Sequence, residues 1–251
     1  MFSFLFHTIF YQPIYNLLVG LAAVLPTNDV GVAIIIVTVV IRLVTLPLMH
    51  KSVKSQRRMK EIEPEIEAIR VKHKGNTQEQ GAKIMALYKE HGINPFSGFG
   101  ALIIQIPIIY ALFWVVQGLA IVPAELYSFT PFPPSLNLMF LGFVDVTKSS
   151  IVIAILAGVA QFFQAKLSIP KLDKSKVVEA GPASFSGSFQ KSMQTQMVYF
   201  LPVMITFIGM TLPAAVSIYW VVNSAVGVAH ELYVKKKAEK LSVDGKQEVG
   251  E

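Results

Sequence analysis

Residues 31–49 most strongly limit what this chain can fold into, because they carry no charge except that of Arg42 near the middle. As a helix rising about 1.5 Å per residue, this run just crosses a hydrocarbon core of about 30 Å. Arginine keeps its proton in proteins, and placing it at the centre of a membrane helix costs on the order of 2.5–3.5 kcal/mol. The run therefore predicts a membrane-spanning helix in which Arg42 reaches water, an anion or polar neighbours.

Helical spacing places Thr38 and Thr45 on the same face as Arg42. We expect this face to meet protein or water rather than lipid. Only about 10 Å of helix rise separates Arg42 from Met49, so a wet cavity around the arginine would open toward the cytoplasm. A structural arginine whose head group snorkels to the surface is the simpler alternative.

Composition indicates a polytopic membrane protein. The chain is 53% hydrophobic and 15% charged, with a mean hydropathy of +0.54. Residues 99–122 carry no charge, and residues 213–234 are charged only near their far end. The apolar runs 151–165 and 197–211 hold 15 residues each and are short for a span, so the bilayer would thin beside them. Together these runs predict five spans.

The leading segment predicts an amphipathic helix lying in the membrane interface. Its apolar stripe consists of Phe10, Ile14, Leu17, Leu21 and Val24. Asn16 interrupts this stripe, which argues against a sixth span. No Lys or Arg precedes Arg42, so the segment lacks the basic start of a secretory signal peptide.

The distribution of lysine and arginine sets the predicted orientation, because cytoplasmic loops carry an excess of these residues. Residues 51–89 hold 10 of them, residues 166–191 hold 5 and residues 235–246 hold 5. Five spans with the N-terminus outside and the C-terminus inside place all three basic stretches in the cytoplasm. The net charge of +6 therefore reports topology and contact with anionic lipid rather than nucleic-acid binding.

The predicted fold is all-α, with five transmembrane helices around a hydrophilic groove. The predicted segments are an N-terminal interfacial segment (1–29), span 1 (30–49), a cytoplasmic helical hairpin (50–95), span 2 (99–122), an extracytoplasmic loop (123–149), span 3 (150–167), a cytoplasmic loop (168–196), span 4 (197–212), span 5 (213–234) and a basic cytoplasmic tail (235–251).

The hairpin prediction rests on two apolar stripes backed by Lys, Arg and Glu. Its candidate contact residues are Met59, Ile62, Ile66, Ile69, Met85 and Leu87. Pro64 should kink or restart the first helix, and Thr77 with Gln80 reads as a capping box for the second. The pair would rest on lipid headgroups or receive an incoming partner, or else merely stiffen the loop.

Other spans carry polar residues that could share a cavity with Arg42. The candidate groove residues are Arg42, Thr38, Thr45, Gln164, Gln161, Trp220, Tyr219 and Asn223. Intramembrane Gln and Asn also form hydrogen bonds between helices without touching any substrate. For each of these residues except Arg42, packing between helices remains the alternative.

Motifs for enzymatic chemistry are absent from the sequence. It contains no phosphate loop, GxGxxG, GxSxG or HExxH, and the five histidines are scattered. Zero cysteines exclude disulfides and thiolate metal sites. We expect no enzyme activity, no cofactor, no metal and no direct role with nucleic acid.

Taken together, these residues resemble the YidC/Oxa/Alb family of membrane protein insertases, from about Phe10 to Lys235. The resemblance rests on five motifs: IRLVTLPL with Arg42 and Pro47, the run SQRRMKEIEPEIEAIRVKHKGN, HGINP with Asn94 and Pro95, LIIQIP with Gln105 and Pro107, and PxxxSIYWVVNS with Pro213, Tyr219 and Trp220.

The resemblance implies a minimal bacterial form in the plasma membrane, with a groove open to cytoplasm and lipid but closed outside. Thr38, Arg42, Gln164 and Trp220 match the family's groove residues. It also implies that the clients are nascent small membrane proteins, with the Sec translocon and the ribosome as further partners beside membrane lipids. A small anion transporter or channel and a structural assembly factor remain the alternative functions.

Overall fold

The computed structural model describes residues 2–94, 100–118, 125–131, 133–168 and 196–247. The predicted cytoplasmic loop 168–196 lies almost wholly outside the described residues, as does Pro95 of the HGINP turn. The chain divides into two compact units, one formed by Met1–Arg42 with Ala111–Glu251 and the other by Leu43–Tyr110. Each unit is described separately below.

The described residues are mostly helical. Their helices are α1 (Phe2–Phe6), a π-helical turn (His7–Tyr11), α2 (Gln12–Val24), α3 (Val30–Glu61), α4 (Glu63–Lys72), α5 (Thr77–Glu90), α6 (Gly100–Gln117), α7 (Ile151–Ser168), a second π-helical turn (Gln196–Phe200), α8 (Leu201–Thr211) and α9 (Ala214–Gln247). Two short antiparallel strands, β1 (Met139–Phe140) and β2 (Val144–Asp145), lie within the predicted outer loop.

Two helices run past the predicted ends of their spans. α3 continues through Pro47 to Glu61, and α9 continues beyond Val234 to Gln247. Both extensions are rich in Lys and also contain Gln and Glu, all of which have high helix propensity, so leaving the apolar run does not end the helix. The break falls instead at Ile62, with Pro64 in the first turn of α4, where proline is tolerated.

By length and composition, the described residues contain two helices that could cross a membrane, Val30–Pro47 and Ile151–Ser168. Their mean hydropathies are 2.5 and 1.7. Ile104–Gln117 and Gln196–Thr211 are apolar but shorter. The other predicted spans therefore stay predictions.

Small residues allow α7, α8 and α9 to pack closely. A Cβ added to Gly158 of α7 would overlap the Thr206 hydroxyl of α8 and lie 3.0 Å from the Pro202 carbonyl oxygen. A Cβ on Gly209 of α8 would lie 3.0 Å from Ala154 of α7. Close approach through small residues is the usual packing mode of helices in lipid.

The β1–β2 hairpin and the residues just after it contact the starts of two helices. Asp29, only 3% exposed, accepts hydrogen bonds from the Val32 N–H at 3.0 Å and from the Leu141 N–H at 2.8 Å. At the start of α9, the N–H groups of Ala214 and Ala215 donate to carbonyls of residues 148 and 146. These bonds satisfy donors that a helix leaves without intrahelical partners. The sequence predicted an extracytoplasmic loop at 123–149 in an all-α fold and did not predict these strands.

Asn16, which interrupts the predicted apolar stripe, anchors the N-terminal helix through hydrogen bonds. Asn16 is 5% exposed; its amide donates to the Glu125 carbonyl at 2.7 Å, and its oxygen accepts from the Tyr127 N–H and the Thr130 hydroxyl. The buried apolar residues of α2 are Ile14, Tyr15, Leu18, Val19 and Ala22, whereas Val24 of the predicted stripe is 67% exposed. The interfacial position of this helix stays a prediction.

Gly158→Val should destabilise the packing of α7 on α8. The added atoms meet the backbone of Pro202, which cannot rotate away, so we expect a loss of about 1–3 kcal/mol in unfolding free energy. Val159→Leu is the matched control, because Val159 is half-exposed and added bulk there should change stability by less than about 0.5 kcal/mol. Thermal unfolding of the purified variants in detergent measures both. Equal stability of the two variants would contradict the packing described here.

Candidate functional site

Arg42 is buried on α3 and forms a hydrogen bond to α9. The residue is 7% exposed, and Nη2 of its guanidinium donates a hydrogen bond to the backbone carbonyl of Asn223 at 2.8 Å. Tyr219, on the preceding turn of α9, lies close enough to interact electrostatically with Arg42. A carbonyl dipole offsets only part of the desolvation cost of a buried charge. The charge of Arg42 therefore sits opposite a neutral acceptor.

Thr38 and Thr45 differ from each other in their surroundings. Thr38 is fully buried one turn before Arg42, and its hydroxyl donates to the Ile34 carbonyl at 2.6 Å, within its own helix. Thr45 is half-buried and belongs to the unit that begins at Leu43. The Thr38 hydroxyl therefore has little capacity to bind a further group beside Arg42, because it already donates a hydrogen bond within its own helical turn.

One turn of α9, residues 223–227, collects polar groups from two other helices. The Asn223 carbonyl accepts the bond from Arg42 of α3. The Ser224 hydroxyl donates to Oε1 of Gln161 on α7 at 3.1 Å. Gly227 leaves the space that the Gln164 side chain of α7 fills, since a Cβ there would overlap the Gln164 amide. We call residues 223–227 the polar turn of α9.

Gln164 has an acceptor that is not used. Its Oε1 is buried, and no donor among the described residues reaches it. A buried polar atom without a partner costs about 1–3 kcal/mol, so this oxygen would gain from any donor that enters the site. A peptide N–H is one such donor.

The aromatic candidates on α9 are buried as well. Tyr219 is 2% exposed, and Trp220 and Asn223 are each 8% exposed. Ser217, on the same stripe, is fully buried, and a Cβ on Gly209 would lie 2.7 Å from its hydroxyl. The structure therefore brings Arg42, Asn223 and Tyr219 together, and separately Gln161 and Gln164 with the polar turn of α9. Ser224 completes this set; it was not among the candidate groove residues, although it lies one helical turn after Trp220.

The second candidate site is the hairpin of α4 and α5. Its core contains Ile62, Ile66, Leu87 and Ile93, each at most 8% exposed, with Met59, Ile69, Ile84 and Tyr88 packed against them. Met85 is 50% exposed and lies outside this core, whereas Ile93, beyond the end of α5, lies within it. Gly92 makes that return possible, because its φ of +62° is one that few other residues adopt.

Side chains also join the ends of the two hairpin helices. The cap of α5 is Asn76, whose side chain accepts from the Glu79 N–H, so the Thr77 capping box was wrong by one residue. Gln80 instead donates to carbonyls of α4, at Arg70 and His73. His73 lies 3.0 Å from Glu79, and His91 lies 3.4 Å from Glu65. These contacts hold α4 against α5 at both ends.

Known proteins resemble this chain along most of its length. The family model described as 60Kd inner membrane protein matches residues 22–241. A membrane protein insertase YidC of Clostridium tetani is 34% identical over 222 residues, which cover 87% of each chain. A membrane protein insertase YidC of Fusobacterium nucleatum is 31% identical and covers 89% of this chain and 98% of its own.

A solved structure is also similar. It is described as an active YidC insertase crystal structure with the first transmembrane domain resolved. The TM-score is 0.58 and the sequence identity 25%, over 91% of this chain and 46% of that one. This chain therefore spans about half the length of that solved relative.

Leu87→Ala should open the hairpin. Leu87 is buried in the hairpin core, and truncating a buried leucine costs about 2–5 kcal/mol, which is large for two short helices. We expect the amides of α4 and α5 to exchange hydrogen at least about thirtyfold faster in the intact protein, as followed by mass spectrometry. Met85→Ala, at an exposed position two residues away, is the control and should leave exchange unchanged. Slow exchange in both variants would rule out the core as the source of hairpin stability.

Proposed function

Because this chain belongs to the family described as 60Kd inner membrane protein, whose relatives include YidC membrane protein insertases, we propose that it inserts small proteins into the bacterial plasma membrane. It moves short polar tails across the membrane and releases apolar segments into lipid through a groove that contains Arg42. It uses no nucleotide hydrolysis and is not an enzyme.

The observation that carries this proposal is the pairing of Arg42 with a backbone carbonyl. The spans predicted from the sequence contain no Asp or Glu apart from Glu231 near the end of the last one, so the charge of Arg42 meets neutral dipoles there. A carboxylate is a stronger acceptor for a guanidinium than a carbonyl oxygen is. An acidic residue on a client's tail therefore gains free energy by replacing the Asn223 carbonyl.

Gln161, Gln164 and Ser224 provide the next polar contacts. An extended tail carries unpaired N–H and C=O groups, and each costs several kcal/mol in hydrocarbon. The unused Oε1 of Gln164 accepts an N–H from the tail. Gln161 and Ser224 give up the hydrogen bond between them and form hydrogen bonds to the tail instead. These contacts lower the barrier to a polar chain without binding any particular sequence.

Burial of the client's apolar segment in lipid drives the process. Each apolar side chain that leaves water contributes about 1.5–3 kcal/mol, so a segment of about 20 residues needs no other energy source. The described α8 is also short. Together with its preceding π-helical turn it covers Gln196–Thr211, roughly 24 Å by helix rise, which shortens the polar tail's path.

We place five spans in the membrane, with the N-terminus outside and the C-terminus in the cytoplasm. The 20 lysines and arginines in the three basic stretches support this orientation, since they all fall on the cytoplasmic side. The α4–α5 hairpin then lies in the cytoplasm, where it receives clients or rests on headgroups. Nascent small membrane proteins are the proposed clients, and the Sec translocon and ribosome the proposed partners.

Replacing Arg42 tests the role of its charge. Losing a charge-assisted hydrogen bond of about 1.5–3 kcal/mol should slow insertion of a client with an acidic tail by about tenfold or more in Arg42→Met. Arg42→Lys should keep most of the activity. Both are scored by complementation and client insertion in insertase-depleted cells. Lys236→Ala, which removes an exposed cation of α9 beyond the predicted span, is the control and should behave as wild type.

Stability separates this role from a structural one. Replacing a buried, poorly compensated charge by an apolar group of similar volume is often neutral or stabilising, so purified Arg42→Met should unfold at the same or a higher temperature. If Arg42→Met and Arg42→Glu both insert every client as wild type does, the electrostatic step is absent. If they fail because they unfold, Arg42 is structural.

Photo-crosslinkers at Gln164 and Trp220 distinguish an insertase from an assembly factor. An insertase should label nascent chains during synthesis, because they pass the polar turn of α9. Labelling of folded membrane proteins alone would favour the assembly factor. Anion-dependent flux into vesicles that contain the purified protein would favour the transporter.

A further inference from the structure

The turn between β1 and β2 presents large apolar side chains to the outside of the protein. Leu141 is 61% exposed and Phe143 is 87% exposed, with Gly142 between them. The three residues carry no charge. We call them the 141–143 tip.

The backbone of the tip makes its sequence unusual. Leu141 has φ +50° and Gly142 has φ +80°, so both lie in the left-handed region. The Phe143 N–H donates to the Phe140 carbonyl at 3.0 Å, and a β-turn whose two central residues both have positive φ strongly favours Asn-Gly or Asp-Gly in water. A leucine at this position has a strained backbone and an exposed apolar side chain. Neither the turn geometry nor contact with water therefore explains why leucine is found here.

The tip cannot fold back to bury these side chains, because its base is fixed. The Leu141 N–H donates to the buried carboxylate of Asp29. Phe140 packs against Gly31, where any Cβ would overlap its ring, and Val146 is fully buried after β2. The frame therefore holds Leu141 and Phe143 away from the protein.

Along the chain, α7 begins eight residues after Phe143. α7 is long and apolar enough to cross a membrane. Its exposed apolar residues include Ile151, Val152, Ile155, Leu156 and Val159. A membrane-spanning helix turns such a surface toward lipid, and eight residues of chain keep the tip within about 28 Å of the start of that helix.

Between the tip and α7 lies a charged pair suited to lipid headgroups. Lys148 is 80% exposed and lies 3.1 Å from Asp145. The pKa of Asp145 is held below its ordinary value, chiefly by the hydrogen bond from the Thr147 hydroxyl, so this carboxylate stays charged at neutral pH. An apolar group flanked by such charges is typical of segments that enter the membrane interface.

We propose that the 141–143 tip inserts into the interfacial layer of the bilayer and anchors the β1–β2 hairpin to lipid. Because the hairpin is hydrogen-bonded to Asp29 at the start of α3, and residues 146 and 148 just after it bind the start of α9, this anchor fixes the depth of both helices and hence that of Arg42. The proposal requires only that α7 spans the membrane, and it does not depend on the insertase function.

Spin labels test the proposal directly, because the chain has no cysteine and a single one can be labelled without background. Phe143→Cys, Lys148→Cys and Val159→Cys are labelled with a nitroxide in vesicles of phosphatidylcholine and phosphatidylglycerol. We expect the label at 143 to collide with oxygen more than with nickel ethylenediamine diacetate, as at 159, and the label at 148 to show the reverse.

Two results would overturn the proposal. Free access of the nickel chelate to position 143 would place the tip in water. Shielding of position 143 from both reagents would mean that protein, such as a second copy of this chain, covers it. Neither result bears on client insertion, which is scored separately with the Arg42 variants.

Leu141→Asn provides an independent check. Asparagine suits the left-handed backbone, so the variant should unfold in detergent at the same or a higher temperature. With less apolar surface in the tip, the label at 143 should become severalfold more accessible to the nickel chelate. An unchanged accessibility would contradict a role for Leu141 in the anchor.

Discussion

The buried charge of Arg42 is the constraint on which the rest of the structure depends. Arg42 is 7% exposed, so its guanidinium needs a polar partner inside the protein. The Asn223 carbonyl of α9 accepts a hydrogen bond from it. In a helix that carbonyl also faces the N–H of residue 227, so the bond from Arg42 is a shared one. Ser224 and Gly227 bring in the glutamines of α7 on the same turn. One turn of α9 therefore joins α3 to α7 through polar contacts.

The polar contacts at this turn of α9 cost stability. Gln164 keeps a buried oxygen without a described partner, and the described hydrogen bond of Arg42 goes to a carbonyl, where a carboxylate would bind more strongly. Replacing buried charged groups by apolar side chains of similar volume is often neutral or stabilising. In the proposed function, these contacts form the path of a polar tail between helices that pack closely through glycines such as Gly158 and Gly209.

The sequence predicts those features that depend on local composition and helical period. The apolar run around Arg42, the helix restart at Pro64 and the buried stripe from Ile62 to Ile69 all follow from residues close together in the chain. Features set by distant partners do not. Asn16 interrupts the apolar stripe in the sequence. In the structure it is buried, where it forms hydrogen bonds with backbone groups more than 100 residues away. Asp29 likewise gives no sign in the sequence that its second oxygen holds a β-turn.

The outer cap and the position of Arg42 together make the site asymmetric. α3 begins at Val30, beside the Asp29 cap, so Arg42 lies about 18 Å of helix rise from that end. Only about 10 Å separates it from the predicted cytoplasmic end of the apolar run. In the proposed function, a polar tail from the cytoplasm meets the positive charge after crossing about a third of the hydrocarbon layer. Since the remaining two thirds would carry most of the desolvation cost, the proposed anchor of the cap would keep the charge at a depth where it can offset that cost.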